Sequence, residues 1–330
     1  VAFGSDQEDL TDPVTELLVQ DEGAPAGPSA LLEEDVDAIV GPASSRNALA
    51  QLNSVVQPDT GVVTCSPTAT ALALDAFPDN GYFFRTVPSD SLQMAAVVRR
   101  AERTGAPSVG VAYLDDPYGR GLRDALVDEI EQGRRLDLTA AVAFGSDQED
   151  LTDPVTALLA EEPGVVIVLG DADDGGRMLS ALDVATPDDV TQVIVNDGIR
   201  TATSIQQLSP GFRSRLTGVA PLATSDIEGY FAAHAVDCVN LIALAAIEAD
   251  SDSPDDIQLW MAPASGGGRQ CSSFADCVAL IEQGLQIDYN GLSGAIELST
   301  TTGDPTRASF VEFGFAADGT EIDTRVVEIP

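Results

Sequence analysis

Short apolar runs alternate with amphipathic segments over most of the chain, and this alternation restricts the fold more than any other feature. The runs VDAIVG, GVVTCS, SVGVAYL, GVVIVLG and TQVIVND have the length and the β-branched content of buried strands. Between them, apolar residues three and four positions apart predict helices, as in the segment that contains Leu49, Leu52 and Val56. Such a chain is predicted to form an α/β fold, with parallel sheets covered by helices on both faces.

The last third of the chain departs from this alternation. A long helix is predicted over residues 228–249, and the extended segments SGAIELS, ASFVEFGF and TRVVEIP follow it. The 330 residues are enough for two domains of ordinary size. No uninterrupted apolar run approaches the ~18 residues that a membrane-spanning helix needs, so we expect a soluble chain.

The charge of the chain is strongly negative. It has 54 acidic residues against 16 basic ones, all of them arginine, and a formal net charge of -38. Such a surface repels nucleic acids and anionic membranes, so neither is expected as a partner. The acids are scattered along the chain, which indicates a solvated surface. We interpret the excess of acidic residues as a halophilic adaptation, because salt screens the repulsion between them. The alternative is an acidic protein from an environment of ordinary salt concentration.

The same composition argues against most catalytic chemistry. Without lysine the chain has neither a Walker A phosphate loop nor a Schiff base, and His234 is its one histidine. The segment YGRGLRD has Asp124 where a dinucleotide site needs its third glycine. DADDGG misses the spacing of a calcium loop, because Gly175 stands at a ligand position. We therefore expect no enzyme, no cofactor and no metal site.

The cysteines indicate disulfides. Cys271 and Cys277 in CSSFADC lack both the Cys-x-x-Cys spacing and a nearby histidine, which argues against zinc. A local disulfide fits better and indicates an oxidising compartment outside the cytoplasm. Cys65 and Cys238 are candidates for a second bridge, whose connectivity the sequence does not fix. Free buried thiols are the alternative.

One peptide, VAFGSDQEDLTDPVT, occurs twice without change, at residues 1–15 and 142–156. Two copies are too few for a solenoid. After the second copy the sequence continues as a helix and then a buried strand, a context that the first copy lacks. Residues 1–13 are therefore a doubtful segment that duplicates 142–154, either a recent segmental copy or a wrongly assigned or replaced N-terminus. The repeat itself points to no function.

Polar residues gather where four predicted strands end. Ser44 and Ser45 in GPASSR begin a helix, whose free N–H groups and dipole favour an anion. Hydroxyls also follow the strand that ends in CSPTATA, and Tyr118 and Asp197 follow two others in YLDDPYGRG and VNDG. Ligands of open α/β sheets bind beyond such strand ends, where hydroxyls suit a carboxylate and an aspartate suits an ammonium. Each residue also has an ordinary explanation as a cap, a half-buried aromatic or a turn residue.

Six motifs together carry a family resemblance: VDAIVGPASS, SPTATA, YFFRTVPSDSLQ, YLDDPYGRGL, CSSFADCVALIEQG and IDYNGLSGAIEL. In order and spacing they resemble the periplasmic-binding-protein type I family, and most closely its branched-chain amino acid type of ABC-transporter solute-binding protein. The resemblance runs from about Val14 to the C-terminus. It implies two Rossmann-like lobes with parallel sheets flanked by helices, joined by three hinge crossings, that close over a ligand.

The resemblance also implies domain bounds and a binding site. Lobe one would comprise 1–88 and 222–304, and lobe two 89–221 and 305–330, so that lobe one would hold every cysteine. The implied ligand-binding residues are Ser45, Thr68, Thr70, Tyr118, Asp197 and Asp171. The three hydroxyls of lobe one would hold the ligand carboxylate, and Asp197 would face its α-ammonium. Asp171 or Ala172 stands where amino acid binders often have an aromatic, which favours a more polar or cationic ligand.

The implied function is that of an extracytoplasmic solute-binding protein that captures a small solute, an amino acid of the branched-chain type, and delivers it to an ABC permease. We expect a monomer, periplasmic or held at the cell surface as a lipoprotein whose signal segment is absent here. The alternatives are a ligand-sensing receptor domain of the same fold, and a binder of amides, urea or another polar solute. His234 stands where the family often has an aromatic on the long helix, so we interpret it as structural.

Overall fold

The structure, a computed structural model, describes residues 2–4, 29–57, 61–133, 135–186, 191–200, 203–222, 229 and 231–330. Its strands are β1 (Ala2–Gly4), β2 (Val36–Val40), β3 (Val63–Ser66), β4 (Phe83–Arg85), β5 (Ser108–Leu114), β6 (Asp137–Phe144), β7 (Val165–Leu169), β8 (Gln192–Val195), β9 (Leu216–Pro221), β10 (Arg269–Cys271), β11 (Ile287–Gly291), β12 (Gly294–Ala295), β13 (Ala308–Phe315) and β14 (Glu321–Ile329). Its helices are α1 (Ser29–Leu32), α2 (Ser45–Val55), α3 (Asp90–Glu102), α4 (Pro117–Gly133), α5 (Thr152–Leu159), α6 (Ala172–Ala185), α7 (Pro210–Arg215), α8 (Ala232–Ala249), α9 (Pro254–Ala264) and α10 (Phe274–Ile281).

The chain divides into two compact units. Unit 1 comprises Val1–Ser89 and Ala223–Ala308 together with Pro330, and unit 2 comprises Asp90–Leu222 and Ser309–Ile329. Each unit has its own sheet and its own apolar core.

Unit 2 is built on a seven-stranded sheet with the order β14-β13-β9-β8-β7-β5-β6. Strands β5 to β9 are parallel, and β13 pairs antiparallel with β9. On one face Val166 and Val168 of β7 pack with Leu158 of α5 and Leu179 of α6. Ile167, which alternation directs to the other face, is equally buried, so helices cover both faces. The predicted α/β fold with helix-covered parallel sheets is confirmed.

Unit 1 has a four-stranded sheet with the order β1-β2-β3-β4 and a three-stranded sheet with the order β10-β11-β12. Strands β2, β3 and β4 are parallel, whereas β1 is antiparallel to β2. The core packs Val63 and Phe83 of the larger sheet with Leu241 of α8 and Met261 of α9. Because β2 and β3 are parallel neighbours, the loops that follow them lie at the same edge of the sheet.

Both cysteine pairs form disulfides in the structure. Cys65 of β3 is joined to Cys238 of α8 over a sequence separation of 173, and Cys271 of β10 to Cys277 of α10 over a separation of 6. The described residues include no free cysteine. In the chain-entropy model the long loop contributes about 5 kcal/mol and the short one about 2 kcal/mol to stability.

One helix of the described residues, α8, is long and apolar enough to cross a membrane, by length and composition alone. The structure uses it as a core helix of unit 1. The carboxylate of its fully buried Asp237 accepts hydrogen bonds from the Tyr289 hydroxyl at 2.7 Å and from the N–H groups of Leu292 and Ser293 at 2.9 and 2.7 Å. Asp237 thereby holds the turn after β11, in the motif IDYNGLSG.

The two copies of the repeated peptide have different surroundings. The second forms the end of β6 and the start of α5, and its Phe144, Leu151 and Val155 lie in the core of unit 2. In the first copy, residues 2–4 pair antiparallel with β2, and the rest of the doubtful segment lies outside the described residues. One dipeptide, Ala-Phe, therefore pairs antiparallel in unit 1 and parallel in unit 2, so tertiary context decides its pairing.

Candidate functional site

Unit 1 joins its two hydroxyl-bearing loops at the carboxyl edge of the sheet. The Ser66 hydroxyl at the end of β3 donates to the Pro42 carbonyl at 2.6 Å, and the Thr68 hydroxyl donates to the Ala43 carbonyl. The loop after β3 is thereby fastened to the loop after β2. Ser45 and Thr68, predicted from separate motifs, lie on these neighbouring segments.

Helix α2 begins at the same edge. Ser44 caps it by accepting the Asn47 N–H at 3.1 Å, and Ser45 is its first residue. The Ser45 hydroxyl accepts the Ala71 N–H at 3.2 Å, and Thr70 beside it is half-buried. First-turn N–H groups and hydroxyls are the donors that a carboxylate requires. We call Ser45, Thr68 and Thr70 the unit 1 cluster.

A buried arginine that the sequence did not single out supports this cluster. The side chain of Arg85 is fully buried. Its guanidinium donates to the carbonyls of Ala69 and Ala71, both at 3.2 Å, and these two residues flank Thr70. It also donates to the carboxylates of Asp304 and Asp75, each at 2.6 Å.

The carboxylates keep Arg85 charged. Burial acts to lower the pKa of Arg85, but its hydrogen bonds and ion pairs with Asp304 and Asp75 outweigh burial and raise that pKa. Ser89 donates to both oxygens of Asp75, at 2.7 and 2.9 Å, and so orients this carboxylate. The backbone around Thr70 is therefore held by a fixed, buried network.

Unit 2 gathers its candidate residues at the carboxyl ends of β5, β7 and β8, which are neighbours in the sheet. Tyr118 lies in the first turn of α4 after β5, and Asp197 follows β8. The fully buried Asn196 amide donates to the Tyr118 hydroxyl and to the Gly170 carbonyl, both at 3.0 Å, and its carbonyl accepts the Gly170 N–H at 3.0 Å. Asn196 thereby fixes Tyr118 against the ends of β7 and β8. We call Tyr118, Asn196 and Asp197 the unit 2 cluster.

Asp197 and Tyr118 influence each other electrostatically. Burial raises the pKa of Asp197, and hydrogen bonds from Gln93 and from the Gly198 main chain oppose this rise. Burial and then the charges of Asp197 and Asp90 raise the pKa of Tyr118 well above its ordinary value, so its hydroxyl stays neutral. No ion pair among the described residues includes Asp197. The cluster thus presents a carboxylate that lacks a cation.

Asp171, the sixth predicted residue, caps a helix. It follows β7 and its carboxylate accepts the Asp174 N–H at 2.8 Å at the start of α6, while its side chain is exposed. No hydrogen bond within the described part of unit 2 joins it to the unit 2 cluster. A separate groove of about 850 Å³ lies beside α5, α6 and Thr203–Gln207. Ala172 lines it, but among the described lining residues there is none of the six predicted ligand-binding residues.

His234 is buried in unit 1, where its ring meets Phe231 edge-on at a centroid distance of 5.7 Å. Burial lowers the pKa of His234 to about 4, so it is neutral at neutral pH. The described residues contain no group of histidine, cysteine, aspartate and glutamate side chains that could hold a metal ion.

The family model of the periplasmic binding proteins matches residues 20–227. The chain belongs to the periplasmic binding protein family. This confirms the resemblance to the periplasmic-binding-protein type I family, and family membership implies a location outside the cytoplasm. The family and the neighbouring structures consist of solute-binding proteins, not enzymes.

The known relatives and structures agree with this assignment. The chemotactic signal transduction system substrate-binding protein BasB of Halobacterium salinarum is 24% identical over 283 residues, which cover 81% of this chain and 67% of BasB. The leucine binding protein LivK of Thermotoga maritima matches with a TM-score of 0.67 at 16% identity, over 90% of this chain and 81% of LivK. An ABC transporter substrate-binding protein of Desulfitobacterium hafniense in complex with Leu matches with a TM-score of 0.71 at 17% identity, over 93% and 88%. At these identities the structural likeness shows the fold alone.

Proposed function

We propose that this protein binds an amino acid of the branched-chain type outside the cytoplasm and delivers it to an ABC permease. The observation that carries the proposal is the opposite chemistry of the two clusters. The unit 1 cluster offers neutral donors at a helix N-terminus through Ser45 and Thr70, whereas its Thr68 hydroxyl donates within the protein. The unit 2 cluster offers a carboxylate without an ion-pair partner beside a neutral hydroxyl. An α-amino acid carries the two complementary groups.

The unit 1 cluster is proposed to bind the ligand carboxylate. The first-turn N–H groups of α2 carry the positive end of the helix dipole, and the hydroxyls of Ser45 and Thr70 are at the same edge. Arg85 stays behind the loop, where its four hydrogen bonds are used by the protein itself. Its role is therefore to position the loop and not to neutralise the ligand.

The unit 2 cluster is proposed to bind the ammonium. Burial disfavours the charged form of Asp197. An ammonium would supply an ion-pair partner, which no described residue provides. The Tyr118 hydroxyl, which accepts the Asn196 amide proton, keeps its own proton for a ligand acceptor. Asp171 is proposed to contact the ligand through the carboxylate oxygen that does not cap α6. This oxygen would suit a ligand with a more polar side chain.

Two further parts of the proposal follow from the family and the composition. The two disulfides support a location outside the cytoplasm, because disulfides form in oxidising compartments. The surplus of acids over bases, 54 to 16, supports adaptation to high salt. We also propose that the protein is a monomer and that a lipid anchor holds it at the membrane. An amide, urea or another polar solute is the alternative ligand.

A second candidate function is ligand sensing, in which the loaded protein signals to a receptor instead of a permease. The observation that favours it is the match to BasB, which is named as part of a chemotactic signal transduction system. Both functions begin with solute binding. They differ in the membrane protein that recognises the loaded form, and co-purification with purified permease or receptor distinguishes them.

The proposal is tested by a thermal-shift screen in high salt against amino acids, short amides and polyamines. A ligand at a hundredfold excess over its dissociation constant should stabilise the protein by about 2.7 kcal/mol. At the same ligand concentration Asp197→Asn should reduce the shift to about half or less, because an amide does not attract an ammonium as a carboxylate does. Asp128→Asn, an exposed aspartate of α4, is the matched control and should keep it. A shift by amides but no amino acid would contradict the proposed ligand class.

A further inference from the structure

Unit 2 carries a cluster of arginines that solute binding does not explain. Arg99, Arg100 and Arg103 lie at and just beyond the C-terminal end of α3, and Arg325 lies on β14. Burial and then the charges of the other three lower the pKa of Arg103, and the smaller effect of Glu102 opposes them. The four guanidiniums are therefore near enough to repel one another. They are four of only 16 basic residues in the chain.

Their charge is only partly balanced. One buried carboxylate, that of Glu312 on β13, pairs with Arg100 at 3.9 Å and with Arg103. Arg99 donates to the main-chain carbonyl of Glu328 at 3.2 Å, and no ion pair in the described residues includes Arg99 or Arg325. Elsewhere in unit 2 an arginine typically faces its own carboxylates, as in the pairs of Arg200 with Glu321 and Asp323 at 2.5 and 3.3 Å.

The strand that carries Arg325 is also an open edge. Strand β14 ends the seven-stranded sheet, so the main-chain groups of its outer side have no neighbouring strand in the described sheet. Its Ile322 and Val326 are 47% and 55% exposed, and they point to the same face because they are four residues apart. Unpaired guanidiniums, exposed apolar side chains and an open strand edge therefore occur together.

We propose that this edge surface, formed by Arg99, Arg325, Ile322, Val326 and the outer edge of β14, binds an extended segment of a protein partner that carries carboxylates. An added strand would pair with the open main chain, cover the apolar side chains and bring its carboxylates to the guanidiniums. A second copy of this chain or an anionic membrane is disfavoured, because each brings a large negative charge against the net charge of -38. The surface shares no residue with either cluster, so this proposal does not depend on the bound solute.

The test uses a fluorescein-labelled nine-residue peptide of alternating glutamate and valine, matched to the 9 residues of β14. Alternation puts its carboxylates on one face and its valines on the other. Fluorescence anisotropy with the full chain should show that the peptide binds. The affinity should weaken roughly tenfold in Arg99→Gln/Arg325→Gln, because the loss of each exposed charge pair lowers the affinity by up to about fivefold. Arg46→Gln/Arg269→Gln removes two exposed guanidiniums of unit 1 and should bind like the unsubstituted protein.

Further comparisons separate edge pairing from mere attraction. The same peptide with every main-chain nitrogen methylated keeps its carboxylates and valines but has no N–H to donate along a strand, and it should bind much more weakly. Equal binding of the two peptides, or equal loss in both double variants, would overturn the proposal. So would no peptide binding at all, arginine-dependent self-association, or arginine-dependent binding to phosphatidylglycerol vesicles in place of the peptide. Circular dichroism of the variants checks that they fold.

Discussion

Replacement of Arg85 by glutamine should lower the free energy of unfolding by about 4 kcal/mol, because removal of one partner from a buried ion pair typically costs about 3–5 kcal/mol. The Asp304 side chain is only 10% exposed and loses its cation, whereas Asp75 is 32% exposed and water can compensate more of its loss. The carbonyls of Ala69 and Ala71 also lose the Arg85 donor that lies 3.2 Å from each of them. The amide of glutamine can replace one of these two hydrogen bonds.

The assay is urea unfolding at constant high salt, followed by circular dichroism. Arg307→Gln is the matched control, since its pair with Glu297 at 3.0 Å has side chains that are 43% and 46% exposed. Such an exposed pair should contribute less than about 1 kcal/mol. Asp304→Asn completes a double-mutant cycle, in which the two substitutions should be strongly non-additive. The reasoning is refuted if Arg85→Gln costs no more than Arg307→Gln, or if its effect simply adds to that of Asp304→Asn.

Three further predictions concern other parts of the molecule. Asn196→Leu removes three hydrogen bonds of 3.0 Å and should weaken solute binding at least about tenfold, which calorimetry measures, and unchanged affinity would contradict the role given to Asn196. Burial lowers the folded-state pKa of His234 to about 4 from 6.5, so the unfolded state binds more protons between these values. Stability should therefore fall by up to about 3 kcal/mol as pH drops through this window, and His234→Phe should flatten the decline in urea titrations. Loss of the Cys65–Cys238 disulfide by double serine substitution should cost about 5 kcal/mol, against about 2 kcal/mol for the short disulfide, and equal costs would disprove the loop-length argument.

The sequence was most informative where the signal is local. Strand β7 reads as a buried strand because all five of its residues are apolar, and the structure buries every one. The helix start at Ser44 and Ser45 depends on a hydrogen bond over three residues, so the motif GPASSR predicts it directly. Short motifs that keep their order along the chain likewise indicate the family.

The supporting residues could not be found in this way. Asp304 lies 219 residues from Arg85, and Tyr118 lies 78 residues from Asn196. Nothing in the local pattern around Arg85 distinguishes a buried arginine from the exposed ones elsewhere in the chain. Only the fold brings its carboxylates to it, and the sequence leaves the Cys65–Cys238 pairing open for the same reason.

The C-terminal part shows a different limit. SGAIELS has the alternation of a strand, but in the structure β12 covers only Gly294–Ala295, and Leu298 forms an isolated bridge with Pro305. Beyond Ala295 the main chain has partners outside β11: the Leu298 N–H donates to the Ser265 hydroxyl at 3.0 Å, and the Glu297 carbonyl accepts the Thr306 N–H at 2.7 Å. Partners that come from other segments are invisible to the periodicity of the strand.

The central claim is that the unit 1 cluster binds a carboxylate and the unit 2 cluster an ammonium, and calorimetry with three ligands tests it most directly. Leucine carries both groups, leucinamide lacks the carboxylate, and 4-methylpentanoate lacks the ammonium. Asp197→Asn should weaken leucine and leucinamide by roughly ten- to a hundredfold and leave 4-methylpentanoate unchanged. Thr70→Val should weaken leucine and 4-methylpentanoate and leave leucinamide unchanged. Equal losses for all three ligands in both variants, or leucine binding that survives Asp197→Asn intact, would contradict the account.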